Sequence, residues 1–183
     1  MSGLVTLAAM TPARTNELLD RALVEEAAKK SGLVWVGAPG APARALWHVW
    51  HEGAVCLVGD GPGEQPLPGL TSGARVEVTV RSKDKGGRLV SWAAKVVELA
   101  PDSEAWQAAV AELKGKRLNA PDGEAMTQRW ARECRVLRLE PTGTTLPLPE
   151  DSLARAPLPT PATTRRPVPD GLPRLLSRKR RGK

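Results

Sequence analysis

Apolar and polar positions alternate most clearly where Val76, Val78 and Val80 are separated by Glu77, Thr79 and Arg81. A strand turns successive side chains to opposite faces, so this spacing predicts one half-buried strand, and Lys85, Gly86 and Gly87 form the turn into a second long strand ending at Leu99. Upstream, Thr11 before Pro12 places a capping hydroxyl ahead of a proline at the first helical position, and Leu19, Leu23 and Ala27 then recur at helical spacing. A first helix is therefore expected over about 12–31. Leu33 to Gly37 reads as a strand, Ala38 to Pro42 as a turn, Arg44 to Trp50 and Ala54 to Gly59 as the next two strands, and 59–73 as a loop. Pro101, Asp102 and Ser103 open a helix with Trp106, Val110 and Leu113 as its apolar stripe, Asp122 to Arg132 predicts a shorter helix, and Arg135 to Glu140 a last alternating strand.

Six closely spaced strands with helices inserted between them predict a mainly β, α+β chain: a small antiparallel barrel with flanking helices. From Pro141 onward nine prolines interrupt any ladder or helix, so the expected division is a folded domain over 1–144 and a disordered Pro- and Arg-rich tail over 145–183.

The net charge of +7 changes meaning once it is located. Residues 165–183 hold eight basic side chains and one acidic, which is the whole excess; everything before them has 19 of each sign. The body thus has no net electrostatic attraction for nucleic acid, and only the tail could meet a nucleic acid or an anionic surface by counterion release. No stretch is long and apolar enough to span a membrane, and no signal pattern opens the chain. Cys56 and Cys134 lie singly in strand-like or apolar surroundings, which predicts buried thiols and a soluble cytoplasmic protein. With no Ile, Phe or Tyr, the six tryptophans must supply all the large ring surface.

Candidate chemistry concentrates in three places. "ALWHVWHEG", 45–53, contains both histidines; alternation puts Leu46, His48 and Trp50 on one face and Trp47, Val49 and His51 on the other, so the pair does not share a metal and the stretch is a ligand wall or a core. Gly59-Asp60-Gly61-Pro62-Gly63 evokes a phosphate loop but leads to Pro66 and Pro68 rather than to a helix N-terminus, so a dinucleotide fold is not expected; Glu64 and Gln65 beyond it meet either a ligand or water. Arg81, Ser82 and Lys83, with Lys85 and Arg88 around the turn, suit a phosphate or form a solvated hairpin tip. No nucleophile elbow, motif-like cysteine or spaced carboxylate pair is present, so in an enzyme of this sequence a cofactor would supply the chemistry.

The order helix, strand, "ARALWHVWHEG", "AVCLVGDG", loop, "RVEVTVRSKD", "GRLVSWAAKVVEL", "PDSEAWQAAVAEL" and final strand resembles the pyridoxamine 5'-phosphate oxidase-like FMN-binding split barrels over roughly 12–141. The resemblance implies a six-stranded split barrel, a homodimer, FMN or a deazaflavin in a groove at the subunit interface, and redox chemistry on a small molecule. It places Arg44 near the cofactor phosphate and Trp47, His48 and Trp50 along the ring, and the residues themselves add Gln65, Arg81, Ser82 and Lys83 as candidate cofactor contacts. Where many such proteins carry an aromatic-Thr pair and then a Ser-Arg-Lys clamp, this chain has Leu57-Val58-Gly59-Asp60 and Gly63-Glu64-Gln65. Glu64 in place of a cation would repel a phosphate. Either Arg81 and Lys83 take over the clamp, or the ligand differs, or the groove is empty; the last case is a cofactor-free binding or regulatory module whose basic tail contacts an anionic partner.

Overall fold

The computed structural model describes residues 12–84, 86–118 and 122–147. In chain order the elements are α1 (Pro12–Lys30), β1 (Leu33–Gly37), β2 (Arg44–Trp47), β3 (Val49–His51), β4 (Ala54–Gly59), β5 (Arg75–Arg81), β6 (Arg88–Glu98), α2 (Glu104–Lys116), a 3-10 turn (Gly123–Ala125), α3 (Met126–Glu133) and β7 (Arg135–Thr145). The strands form one antiparallel sheet in the order β2-β1-β5-β6-β7-β4-β3. Its two outer strands, β2 and β3, are separated in sequence by His48 alone, so the sheet curls round until its ends meet at one residue: a nearly closed barrel. The expected strand Arg44–Trp50 is thereby cut in two, its first half pairing with β1 and its second with β4, which is why seven strands stand where six are expected.

Inside the barrel, Val34, Val36, Leu46, Val55, Leu57, Val76, Val78, Val80 and Trp92 form one core with Val24 and Ala28 of α1. A second core lies under α2 and α3, where Val49, Cys56, Val58 and Val136 meet Trp106, Val110, Leu113 and Trp130. β4 supplies both cores from its two faces, and that explains why all six of its residues are buried and read as an unbroken apolar run. Ser103 caps α2, its hydroxyl accepting from Trp106 N at 3.2 Å.

Two expectations are corrected. β7 does not stop at Glu140 but runs through Pro141 to Thr145, with Ala94 opposite Pro141 and Trp92 opposite Thr145 across a register shift. A proline lacks a donor, and the irregularity is how the ladder passes it. Of the expected α1 stripe, Leu19 and Leu23 are 63% and 51% exposed while Ala27 packs on the core, where Val24 and Ala28 are the buried contacts. The disordered tail falls on residues outside those described, except for 145–147.

Candidate functional site

The glycine loop after β4 binds its own chain. A Cβ on Gly59 would lie 2.2 Å from the Gln65 carbonyl oxygen, and one on Gly61 would lie 2.3 Å from Cys134 Sγ and 2.6 Å from the Glu133 carbonyl oxygen. Gly59 and Gly61 are needed for close packing against their own chain rather than for close approach of a phosphate. The loop amides are taken as well: Asp60 N donates to Gln65 O at 3.0 Å, Glu64 N to Gly61 O at 3.1 Å, and Leu67 N to Asp60 Oδ1 at 2.7 Å. Gln65, one of the expected ligand contacts, has its carboxamide inserted at the barrel's closing point. Its Oε1 accepts from Trp47 N at 2.9 Å, and its Nε2 donates to Trp47 O at 2.9 Å and Val58 O at 3.3 Å. It stands in for a peptide group where β2 leaves its partner, satisfying backbone that would otherwise be orphaned.

Glu64 meets neither a phosphate nor water. Its side chain has no exposed area, and Oε1 accepts from Arg129 Nη2 at 3.1 Å and Trp130 Nε1 at 2.9 Å, while Oε2 lies 3.2 Å from Arg117 Nε. Arg129 continues to Asp122 at 2.6 Å and to Pro62 O at 2.6 Å, and Arg117 donates to Gly63 O at 2.9 Å. The Arg129 guanidinium holds the Asp122 carboxyl below its ordinary range. This charge network ties the loop to α2 and α3. Sequence reasoning missed it because its partners lie 53 to 66 residues away, although an acidic residue between a glycine loop and two later arginines is a usable signal.

The strand 44–51 alternates as expected, with Leu46 and Trp50 against the barrel core and Trp47 and Val49 against the helical one. His48 is buried at the break. Its Nε2 lies 3.1 Å from Ala28 O and is assigned as the donor, its Nδ1 has no hydrogen-bond partner among the described residues, and burial pushes its pKa down to about 4. His48 therefore stays neutral at neutral pH and ties α1 to the closing strand. Trp47 packs under α2, with the Arg117 guanidinium 5.7 Å from its ring centre. Cys56 is buried and its thiol pushed up to about 11, while Cys134 is half-buried.

Arg44 and Arg81 lie toward opposite ends of β1, on the two strands that flank it. Arg44 pairs with Val36, whereas Thr79, two residues before Arg81, pairs with Trp35, so Arg81 extends toward the Leu33 end. The two positions are about 10 Å apart along the strands and on opposite faces of the sheet, Arg44 on the side of Val36 and Leu46 and Arg81 on the side of Trp35, so they do not form one phosphate clamp. What gathers at the Leu33 end is different. On the outward side of β1, β2 and β5 lie Leu33, Trp35, Trp47, Thr79 and Arg81, opposite to Val34, Val36, Leu46, Val78 and Val80 of the core. The Arg81 guanidinium sits 5.0 Å from the Trp35 ring centre, and Leu33 is exposed. Arg81 and Lys83 are both exposed, with no ion-pair partner among the described residues. Ser82 between them donates its amide to Gly87 O at 2.7 Å and accepts from Gly86 N at 3.0 Å, which fixes the strand end; Lys85 lies outside the described residues. Arg88, directly opposite Arg81, is engaged by the carbonyls of Leu146 and Pro147 at 2.8 and 3.0 Å. Trp50 faces elsewhere, into a cleft between α1, the β3–β4 turn and β7.

A seven-stranded antiparallel sheet closed through one residue, with α1 packed on its core and α2 and α3 over the other side, is a split β-barrel. No protein-family model and no curated protein sequence matches this chain. Solved structures do. The heme storage protein HutZ from Vibrio cholerae is 15% identical and matches 67% of this chain and 90% of its own with a TM-score of 0.50. The conserved hypothetical protein Rv2991 from Mycobacterium tuberculosis is 16% identical and matches 78% and 97% with a TM-score of 0.51. At these identities the likeness establishes the fold. Among the described residues no helix is long and apolar enough to cross a membrane.

Proposed function

We propose that the protein is a split-barrel oxidoreductase that holds FMN, or a deazaflavin, on the outward face of β1 and β5 and acts on a small molecule, with a second copy of the chain covering the ring. The observation that carries this reading is the pair of exposed cations, Arg81 and Lys83, at the end of a sheet face bearing Trp35 and exposed Leu33. Arg binds a phosphate through two parallel hydrogen bonds and Lys adds a point charge, while the apolar face beside them suits a planar ring. The loop after β4 takes no part in this reading, because Gly59 and Gly61 pack on their own chain, the Asp60, Glu64 and Leu67 amides bond within the loop, and Glu64 is held by arginines. A bound flavin supplies hydride or electron transfer; the chain's own residues bind, orient and shield it. Arg44 is left out, since it lies at the other end of β1 and β2.

The test is the visible spectrum of the purified full chain after incubation with FMN, with a deazaflavin, and with hemin, each followed by gel filtration. Retention of FMN or the deazaflavin at one per chain supports the proposal. HutZ is a heme storage protein, so retention of hemin alone would replace the proposal with tetrapyrrole binding. A chain that retains none of the three is the cofactor-free module.

A further inference from the structure

A cleft between α1, the β3–β4 turn and β7 lies away from that face, and none of its lining residues belongs to β1, β2 or β5. It measures about 450 Å³, within the range of small-molecule sites, and Trp50, Val24 and Pro141 form its apolar wall. Around that wall stand four carboxylates, Asp20, Glu25, Glu52 and Glu140, against two guanidiniums, Arg21 and Arg138. The carboxylates are not equally committed. Glu140 accepts from Arg138 Nε at 3.2 Å, and Glu25 pairs with Lys29, from outside the lining, at 2.5 Å. Among the described residues Asp20 accepts only a neutral donor, the Thr145 amide at 3.1 Å. Glu52 is 3.8 Å from Arg138 Nη1 and 3.7 Å from His51 Nε2, both beyond hydrogen-bond reach, although its backbone oxygen accepts from Arg138 Nη2 at 2.6 Å.

We propose that this cleft binds a small organic cation, an amine with an apolar body, its ammonium held by Asp20 and Glu52 and its methylenes laid on Trp50 and Val24. The excess of carboxylates disfavours an anion, and an indole face attracts a cation that has been partly desolvated. The site does not depend on the flavin proposal. It also has a backbone signature that makes the test clean: Glu52 adopts a φ of +44°, where Asn and Gly are ordinarily found.

The experiment is calorimetric titration of the full chain at low ionic strength with 1,5-diaminopentane, with glutarate and with 1,5-pentanediol, three probes of equal length and different charge. The diamine is expected to bind saturably at one per chain, and the other two at least tenfold more weakly. Asp20→Asn keeps an acceptor for the Thr145 amide, and Glu52→Asn places a residue suited to the left-handed turn. The double variant should therefore melt at or above the wild-type temperature while binding the diamine at least tenfold more weakly. No diamine binding, glutarate binding as tightly, or unchanged diamine affinity in folded Asp20→Asn would each overturn the proposal.

Discussion

The seam between the 59–65 loop and the two C-terminal helices is the counterpart of the β5 end, and the two use charge in opposite ways. At the seam, Glu64, Arg117, Arg129 and Asp122 lie within 3.3 Å of one another in a chain of contacts, and Glu64 has no exposed side-chain area. At the end of β5, Arg81 leans on an indole and Lys83 faces solvent, without acidic partners among the described residues. A buried charge must be paired, because desolvation penalises the ion unless its neighbours replace water. An exposed unpaired cation costs the fold little and remains available for a ligand. The residues that look most like a phosphate loop are therefore structural, and the plainer strand end is where the proposed cofactor contacts lie.

Glu64→Ala makes the sharpest break in that contrast. It leaves Arg117 and Arg129 facing a void and strands the Trp130 Nε1 donor, so a loss of about 3–5 kcal/mol is expected by denaturant unfolding. A loss under about 1 kcal/mol would place the seam among ordinary surface ion pairs.

His48 gives a second large effect, with a pH signature. Its pKa falls from an ordinary value near 6.5 to about 4 in the fold, so the unfolded chain takes up the proton first as pH drops. Stability is unaffected above about pH 6.5, is lost progressively between pH 6.5 and pH 4, and the total loss is about 3 kcal/mol. His48→Gln retains a donor for Ala28 O and should flatten that portion of the pH profile.

A smaller effect is expected from Gly61→Ala, whose methyl would press on Cys134 Sγ and the Glu133 carbonyl. Overpacking of this kind costs about 1–3 kcal/mol, measurable as a lower melting temperature with unchanged FMN retention. Smallest for stability is Arg81→Ala with Lys83→Ala, within about 0.5 kcal/mol of wild type.

How far all this could be read in advance follows from the range of the interactions. Strand alternation and helix spacing are local, so β5, β6, the two faces of 44–51 and the cap at Ser103 are legible from neighbouring residues. The face of α1 was not, because Leu19 and Leu23 satisfy the same spacing as Val24 and Ala28, and only the position of the barrel decides between them. β7 beyond Pro141 needed the bulge opposite Trp92 and Ala94. In the candidate site, Arg81 and Lys83 stand out as a strand-end pair, but the engagement of Gln65 by Trp47, 18 residues away, and of Glu64 by Arg129, 65 away, is invisible without the fold. The separation of Arg44 from Arg81 likewise follows from strand register and not from composition.

The most direct measurement of the central claim is a fluorescence titration of FMN into the wild-type chain and into the Arg81→Ala, Lys83→Ala double variant, with thermal unfolding of both recorded alongside. The account predicts saturable quenching by the wild type and a Kd at least tenfold weaker in the variant at an unchanged melting temperature. Equal affinity in the two proteins would contradict it.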